Sequence, residues 1–558
     1  MTQDVWSEQR VLPAEELRAR YRAAGEWSDD PLTRRLHESV QRFAQLPAVI
    51  TATTEYTYDE LDRRTDQIAA GLARLGLKPR DPVIFQLTNR SETVLAWYGC
   101  LKAGLIPVAT LAAHRMHEIG HVTGAVGARA HVVEAATKFD LVAFAGQVRD
   151  ACPTMDFTFT VGKDPSGEGS GVEDRYRIED LGTDIPPDEA RRVVEEIENG
   201  IDPLDVAVFQ LSGGTTGVPK VIPRLHAEYW DNARLYAERL GWTPESRVAH
   251  LIPLTHNAGV SCALHATHAV GAALVLADPD PIPAFALMAR VGATDALFGH
   301  GHYQALMLDE FAPARESLRR SVLSGAKVPE ALFDLVDDDE RWAGQMFGMG
   351  EGMFLVSPLD SPRLARLTTV GTPIALTDEY RILDPGSEKE LPDGAIGELA
   401  CRGPYTISGY YDAPEHNARA FTSDGFYRTG DLAAVQRIDG GRYVSIEGRM
   451  KDLINRGGEK INAEEVEKLL LSHPSVADVA VVAMPDPRLG ERTCAYLVAA
   501  DGRELSLPEV QRHLESLGVA KFKWPERLEW VPGLPRTNVG KVNKVTLRAD
   551  INEKIGSQ

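Results

Sequence analysis

Val206-Ala-Val-Phe-Gln210 is an apolar run of strand length, and the ten residues behind it are Leu211-Ser-Gly-Gly-Thr-Thr-Gly-Val-Pro-Lys220. The run reads as a buried strand. The loop that follows crowds Gly213, Gly214 and Gly217 together with the hydroxyls of Ser212, Thr215 and Thr216 and the charge of Lys220. Glycines let successive backbone N–H groups turn toward one point, hydroxyls add donors, and lysine adds a cation, so the loop reads as a cradle for phosphate. It is not a Walker A loop, because no Gly-Lys-Ser/Thr closes it, and it lacks the spacing Gly-x-Gly-x-x-Gly. A flexible surface loop has the same composition, so motifs elsewhere must decide.

The surrounding pattern alternates. Asp59 to Leu75 carries Leu61, Ile68, Leu72 and Leu75 at helical spacing, and Asp81 to Leu87 reads as a strand. Ser91 to Gly104 reads as a helix and Ile106 to Leu111 as a strand. Such alternation implies parallel sheet covered by helices. Lys163 to Gly171 is a Gly/Ser-rich solvent loop, and no repeat of fixed period is evident. From Glu398 the pattern becomes short strands with glycine-rich turns. Beyond Lys451, the strands Ala477–Ala483 and Cys494–Val498 and the helix Leu507–Leu517 suffice for a small separate domain. A chain of 558 residues suggests two to four domains.

Charge narrows the partners. The formal net charge is −21, which argues against nucleic acid and against an anionic membrane surface. No apolar run approaches the roughly 18 residues of a membrane span, and the N-terminus lacks the basic and apolar regions of a signal peptide. Cys100, Cys152, Cys262, Cys401 and Cys494 are few and scattered, as expected of reduced thiols in a cytoplasm.

Three further motifs carry chemistry. In Phe347-Gly-Met-Gly-Glu-Gly352 a carboxylate sits in a glycine-rich loop, where it can hold Mg²⁺ against phosphate oxygens. Tyr427-Arg-Thr-Gly-Asp431 offers a carboxylate to a ribose diol, and it is followed by Glu447-Gly-Arg-Met-Lys-Asp-Leu-Ile-Asn-Arg-Gly-Gly-Glu-Lys460. Pro535-Arg-Thr-Asn-Val-Gly-Lys541 places a lysine behind a glycine turn. Each motif is weak alone; together, in this order over some 330 residues, they are specific.

In these motifs the chain resembles the adenylate-forming superfamily of acyl-CoA synthetases, peptide-synthetase adenylation domains and luciferases. Within it the chain is most similar to stand-alone aryl-acid AMP ligases that activate 2,3-dihydroxybenzoate or salicylate. That branch is marked by Leu211 to Gly217, Ile222-Pro-Arg224, Thr255-His-Asn257, Arg402-Gly-Pro-Tyr-Thr-Ile-Ser-Gly-Tyr-Tyr411 and Ile454-Asn-Arg-Gly-Gly-Glu-Lys460. The resemblance implies an α/β fold: a large N-terminal domain, 1–450, of parallel-sheet subdomains plus a β-rich subdomain, and a small mobile α+β domain, 451–558, hinged at Lys451.

The resemblance also implies roles. Ser212 to Lys220 would form the mobile loop over the β- and γ-phosphates of ATP, with Thr216 and Glu351 at Mg²⁺. Gly325 would lie against the adenine face, with Ala326, Met346 and Gly348 nearby, and Met346 would offer a backbone contact to the adenine edge. Asp431 and Arg449 would hold the ribose. Lys541 would reach the substrate carboxylate and the α-phosphate, joined by His256 as a second catalytic residue. After rotation of the small domain, Gly457 and Gly458 would line a pantetheine tunnel and Lys460 would meet the pantetheine or its phosphate. The chemistry suits these parts, because a carboxylate must meet a phosphate and cations must neutralise both. No tightly bound organic cofactor is expected.

His256 and Asn257 would border the acid pocket, with Asn257 bonded to the hydroxyl ortho to the carboxylate. Ala258 stands where the dihydroxybenzoate enzymes carry an aromatic residue, Gly350 where they carry alanine, and Cys262 where they carry serine. Phe298-Gly-His-Gly-His-Tyr303 replaces a Val-Pro-Pro-like turn. These departures suggest a 2-hydroxyaryl acid bulkier than salicylate, such as 6-methylsalicylate or 3-hydroxyquinaldate. His256, Cys262, His265 and His268 could also be read as a zinc cluster, but Val260 to Ala269 looks like one apolar helix and no second ligand pair appears. His300 and His302 are either solvent-facing or pocket-lining. Seventeen residues follow Lys541, so a phosphopantetheinylated aryl carrier protein would act in trans, in siderophore or peptide antibiotic biosynthesis. Free coenzyme A as acceptor, a non-catalytic binding homologue and a luciferase-like oxygenase are the alternatives. Either a monomer or a homodimer is compatible with the sequence.

Overall fold

Thr57 opens the helix Tyr58–Arg74 with a capping box: Glu60 N–H donates to the threonine hydroxyl, and the Glu60 carboxylate accepts from Thr57 N–H at 2.9 Å. Leu61, Ile68 and Leu72 face the core from this helix, as their spacing predicts. The computed structural model describes residues 11–135, 137–162, 175–212, 219–325, 328–456, 459–517, 519–537 and 541–556. The Lys163 to Gly171 loop lies outside them.

Contacts divide the chain into two compact units, one of Met1–Glu379 with Cys401–Tyr427, the other of Tyr380–Ala400 with Arg428–Gln558. The first unit holds two large sheets. One runs in the order Arg175–Arg177, Phe157–Val161, Ala130–Glu134, Pro82–Gln86, Ile106–Ala109, Val206–Leu211, Val221–Leu225, parallel except for its last pair. Pro82–Gln86 and Ile106–Ala109 are buried at every position, which is why they read as unbroken apolar runs. The other sheet has nine strands. Its parallel centre is Trp342–Met349, Arg320–Ser324, Asp295–Gly299, Arg247–His250, Ala273–Leu276 and Pro47–Ile50. Antiparallel strands close both edges. The loops leaving the carboxyl ends of Val206–Leu211, Arg247–His250, Arg320–Ser324 and Trp342–Met349 carry the residues singled out in the sequence. That is where open α/β sheets place ligands.

The second unit contains a four-stranded sheet, Glu379–Leu383, Gly397–Arg402, Tyr427–Ile438 and Gly441–Arg449, the first and third of which begin at the end of the first unit. Its last two strands form a long hairpin where short strands were expected. The unit's other sheet pairs Glu459–Asn462, Leu453–Arg456, Gly490–Ala499 and Val476–Asp486, with Arg527–Trp530 parallel to Gly490–Ala499. The helices Ala463–Leu471 and Leu507–Ser516 cover it, burying Val466, Leu470, Val510 and Leu514. Among the described residues no helix is long and apolar enough to cross a membrane.

Candidate active site

The glycine-rich loop is tied at its base. Ser212 N–H donates to Lys220 O and Lys220 N–H donates to Ser212 Oγ, both at 3.0 Å. Gly213, Gly214, Thr215, Thr216 and Gly217 lie outside the described residues. Lys220 Nζ sits 5.1 Å from the Tyr410 ring centroid, within cation–π range.

Tyr410 also reaches the glutamate of the second motif. Its hydroxyl donates to Glu351 Oε1 at 2.6 Å and pairs with Tyr427 Oη at 2.8 Å. Burial and the neighbouring Glu351 charge push both phenols well above the ordinary tyrosine range, so they remain hydrogen donors. Ile407 N–H donates to Glu351 O at 2.8 Å, which fixes the backbone of the same residue. Gly352 has φ +133°, and a Cβ there would come 2.1 Å from Tyr405 O, so only glycine permits this turn.

In the loop that leaves Arg247–His250, Asn257 is 8% exposed and begins a short helical turn capped by His256, whose Nδ1 accepts from Ala258 N–H at 3.2 Å. Asn257 Oδ1 accepts from the Tyr229 hydroxyl at 3.0 Å and the Ser261 hydroxyl at 3.3 Å, while Asn257 Nδ2 donates to Met349 O at 3.3 Å. Gln210 Nε2 in turn donates to Tyr229 Oη at 3.0 Å. Asn89 anchors the incoming loop, donating to Ile252 O and Ala277 O and accepting from Leu254 N–H at 2.7 Å.

Val260 to Ala269 is not one α-helix, because a π-helical turn spans Val260–Leu264 before His265–Val270. Such turns place an extra residue in the helix and recur at functional sites. Ala258 is half-buried against a cluster containing Cys262, Leu297 and Met346. Cys262 is 1% exposed, and burial raises its thiol pKa. His268 bonds Tyr98 Oη at 2.7 Å and Ala48 O at 3.0 Å, leaving neither ring nitrogen for a metal. His302 is half-buried in the turn His300–His302.

At Gly350 a Cβ would come 2.9 Å from Ile222 Cδ1, the end of a flexible side chain that would have to shift to admit it. The Gly350 carbonyl accepts from Arg224 Nη1 at 3.0 Å. Arg224 is fully buried, and its Nε and Nη2 donate to the two Glu228 oxygens at 2.9 and 2.7 Å. Removing one partner of such a pair typically costs about 3–5 kcal/mol. Gly325 has φ +98° and follows Ser324, whose hydroxyl donates to Met346 O at 3.2 Å. A Cβ at Gly348 would meet Phe354 Cδ1 at 2.9 Å. Ala326 lies outside the described residues.

In the second unit Asp431 and Arg449 are cross-strand neighbours, with Arg449 Nε 2.8 Å from Asp431 Oδ1. Lys541 sits in a turn closed by Thr537 N–H donating to Lys541 O at 2.7 Å. Desolvation, then the Arg449 charge, lower the Lys541 pKa, and Asp431 and Glu464 oppose that shift. The ribose candidates and the catalytic-lysine candidate therefore share one electrostatic neighbourhood. Lys451 lies in the turn Met450–Asp452, where Arg548 donates to Lys451 O at 3.3 Å and pairs with Asp452. Burial and Arg449 lower the Lys451 pKa. Gly457, Gly458 and the Lys460 side chain lie outside the described residues.

Tyr229, Gln210 and Asn89 had no sequence signal, since each bonds a partner distant in the chain, and Ser261 had none because it lies in an apolar run that reads as core. Tyr410 had one: it stands in the Gly-Tyr-Tyr of a motif already singled out.

Residues 36–411 match the model of the AMP-binding enzyme family, and residues 465–541 match that of the AMP-binding enzyme C-terminal domain. The chain is 39% identical to a salicylyl-CoA synthase / salicylate adenylyltransferase of a Streptomyces species, covering 96% of this chain and 97% of that protein. It is 36% identical to a 2-hydroxy-7-methoxy-5-methyl-1-naphthoate–CoA ligase of Streptomyces carzinostaticus, over 96% of each chain. The apo structure of Mycobacterium smegmatis MbtA superposes with a TM-score of 0.73 at 35% identity, covering 98% of this chain and all of that one. The chain belongs to the AMP-binding enzyme family, and within it is an adenylate-forming ligase of the aryl acid–AMP ligase type.

Proposed function

We propose that this enzyme converts a 2-hydroxyaryl carboxylic acid to its aryl-adenylate and then to a thioester on the phosphopantetheine of a separate carrier protein, for a siderophore or peptide antibiotic. The observation that carries this reading is the buried Asn257 amide, held by Tyr229, Ser261 and Met349. A buried polar group selects the ligand that satisfies it. Relatives whose names specify salicylate and a substituted 2-hydroxynaphthoate support an ortho hydroxyl, and the second supports a bicyclic ring. Ala258 is the position that sets the room available to such a ring.

In this reading the carboxylate oxygen attacks the α-phosphorus of ATP, the bond to the β-phosphate oxygen breaks, and pyrophosphate leaves. Lys541 holds its positive charge between the two anions, Asp431 and Arg449 hold the ribose, and Ser212 to Lys220 fold over the departing phosphates. Mg²⁺ would neutralise phosphate charge. Glu351 suits it, because magnesium is commonly held by one or two carboxylates with phosphate and water oxygens, and Tyr410 already orients this one. A thiolate then attacks the acyl carbon and AMP leaves. For that step the residues from 451 onward rotate about Lys451, Lys541 withdraws, and Gly457, Gly458 and Lys460 receive the pantetheine.

The test is acid-dependent pyrophosphate exchange over salicylate, 6-methylsalicylate, 3-hydroxyquinaldate, 2,3-dihydroxybenzoate and benzoate. Exchange with 2-hydroxy acids and little with benzoate is expected. Equal exchange with benzoate refutes the reading. Thioester formation on free coenzyme A as fast as on an aryl carrier protein replaces the carrier with coenzyme A.

A further inference from the structure

Asn257 can offer a ligand only hydrogens. Met349 O is a backbone carbonyl and can only accept, so the amide atom 3.3 Å from it is Nδ2. The oxygen is therefore on the other side, where Tyr229 and Ser261 donate to it at 3.0 and 3.3 Å. An amide oxygen has two lone pairs, and both are now occupied. Nδ2 has two hydrogens, and Met349 takes one.

The donors are themselves held. Gln210 Nε2 donates to Tyr229 Oη at 3.0 Å, which leaves the single phenolic hydrogen for Asn257. Burial raises the Tyr229 pKa to about 12, so that hydrogen stays in place at working pH. The Arg224 guanidinium lies 4.7 Å from the Tyr229 ring centroid and fixes the ring from behind. Turning the amide over would set Oδ1 against Met349 O and Nδ2 against a hydroxyl whose hydrogen already points at it.

We infer that the Tyr229–Ser261–Met349 network locks the Asn257 amide into a donor-only group, so that the enzyme selects aryl acids with an ortho hydroxyl over those with an ortho amine. This rests on the proposed binding of the ortho substituent at Asn257. In a 2-hydroxy acid the hydroxyl gives its hydrogen to its own carboxylate and presents an oxygen lone pair outward, which accepts from Nδ2. In a 2-amino acid one N–H bonds the carboxylate, the nitrogen lone pair is delocalised into the ring, and the second N–H points outward. That hydrogen meets Nδ2–H, donor against donor. Benzoate offers no partner but brings no opposing hydrogen, so it falls between the two.

The experiment compares kcat/KM in pyrophosphate exchange for salicylate, benzoate and anthranilate, in the wild type, Tyr229→Phe and Ser261→Ala. The wild type is expected to prefer salicylate over anthranilate by about 10–100-fold, the cost of an unpaired buried donor. Benzoate should lie between. Each variant releases one lone pair of Oδ1 and loosens the amide. Salicylate should then weaken by about 3–10-fold, mainly in KM, while anthranilate changes less than about twofold, so the ratio narrows. A purely structural role would lower all three acids in proportion, and that result overturns the lock. Equal use of salicylate and anthranilate by the wild type also overturns it, with no variant needed. A wild type that activates none of the three acids instead overturns the parent reading of the pocket. If Tyr229→Phe does not fold, Ser261→Ala and the wild-type ratio decide.

Discussion

Replacing Tyr410 by phenylalanine removes one oxygen and leaves the ring over which Lys220 sits. That oxygen gives Glu351 a hydrogen bond of 2.6 Å. A hydrogen bond to a charged group contributes about 1.5–3 kcal/mol, so its loss should lower the rate by about 10–150-fold where the Glu351 position matters. Tyr427 loses its partner at 2.8 Å at the same time. Tyr427→Phe removes only that outer, neutral bond and should cost about 2–10-fold. The order of the two losses is thus set by geometry, with Tyr410 nearer the carboxylate.

The assay is pyrophosphate exchange at saturating ATP and acid, titrated with Mg²⁺, with the calorimetric Tm as a control for folding. Tyr410→Phe should shift the Mg²⁺ concentration for half-maximal rate upward more than Tyr427→Phe does, with little change in Tm. An unchanged magnesium curve in Tyr410→Phe would show that Glu351 does not depend on the phenol. A larger effect from Tyr427→Phe would show that the chain of hydroxyls works in the opposite order.

Lys541→Ala should lower pyrophosphate exchange by about 10²–10³-fold while thioester formation from pre-made adenylate survives; equal loss in both half-reactions would exclude the assigned role. The Lys541 pKa lies below the ordinary lysine value, so adenylation should fall as pH rises through that lowered pKa, and Glu464→Gln, which removes an opposing charge, should move the alkaline limb lower still. An alkaline limb that Glu464→Gln leaves in place would disconnect it from Lys541. Lys451→Pro fixes φ at the proposed pivot and should spare adenylation while carrier loading fails; normal loading would place the pivot elsewhere. Ala258→Tyr should weaken activation of bicyclic or ring-substituted acids by about 10–200-fold relative to salicylate, measured as a ratio of kcat/KM. A constant ratio would show that residue 258 does not bound the acid.

Much of the first unit was legible because its strands are buried on both faces. Pro82–Gln86, Ile106–Ala109 and Val206–Leu211 are apolar throughout, and short apolar runs between helices have few other uses. The helix Tyr58–Arg74 was legible from its spacing alone. The π-turn at Val260–Leu264 was not, since the residues in it are ordinary helix-compatible ones and the extra residue is forced by what packs around it. The hairpin Tyr427–Ile438 with Gly441–Arg449 was read as short strands, because glycines within it suggest turns although the pairing continues through a bulge between Leu432 and Ala433.

The same division runs through the site. Glu351, Asn257, Asp431 and Lys541 stand out because each is an unusual residue in its local run. Apart from Tyr410, which stands in a motif, the side chains that orient them do not stand out, and most lie at a distance in the chain. Tyr410 lies 59 residues from Glu351, Tyr229 lies 28 from Asn257, and Gln210 lies 19 from Tyr229. A tyrosine in an amphipathic helix reads as core, and Tyr229 is core, with no exposed surface. Its one hydroxyl sits at the end of a buried ring, and only tertiary packing decides what that hydroxyl faces. On the proposed reading the acid site is announced by motif residues, but the sign of the hydrogen bond it offers depends on Tyr229 and Ser261, which no motif singles out. Two enzymes with the same Asn and different residues at 229 and 261 would then differ in which ortho group they accept.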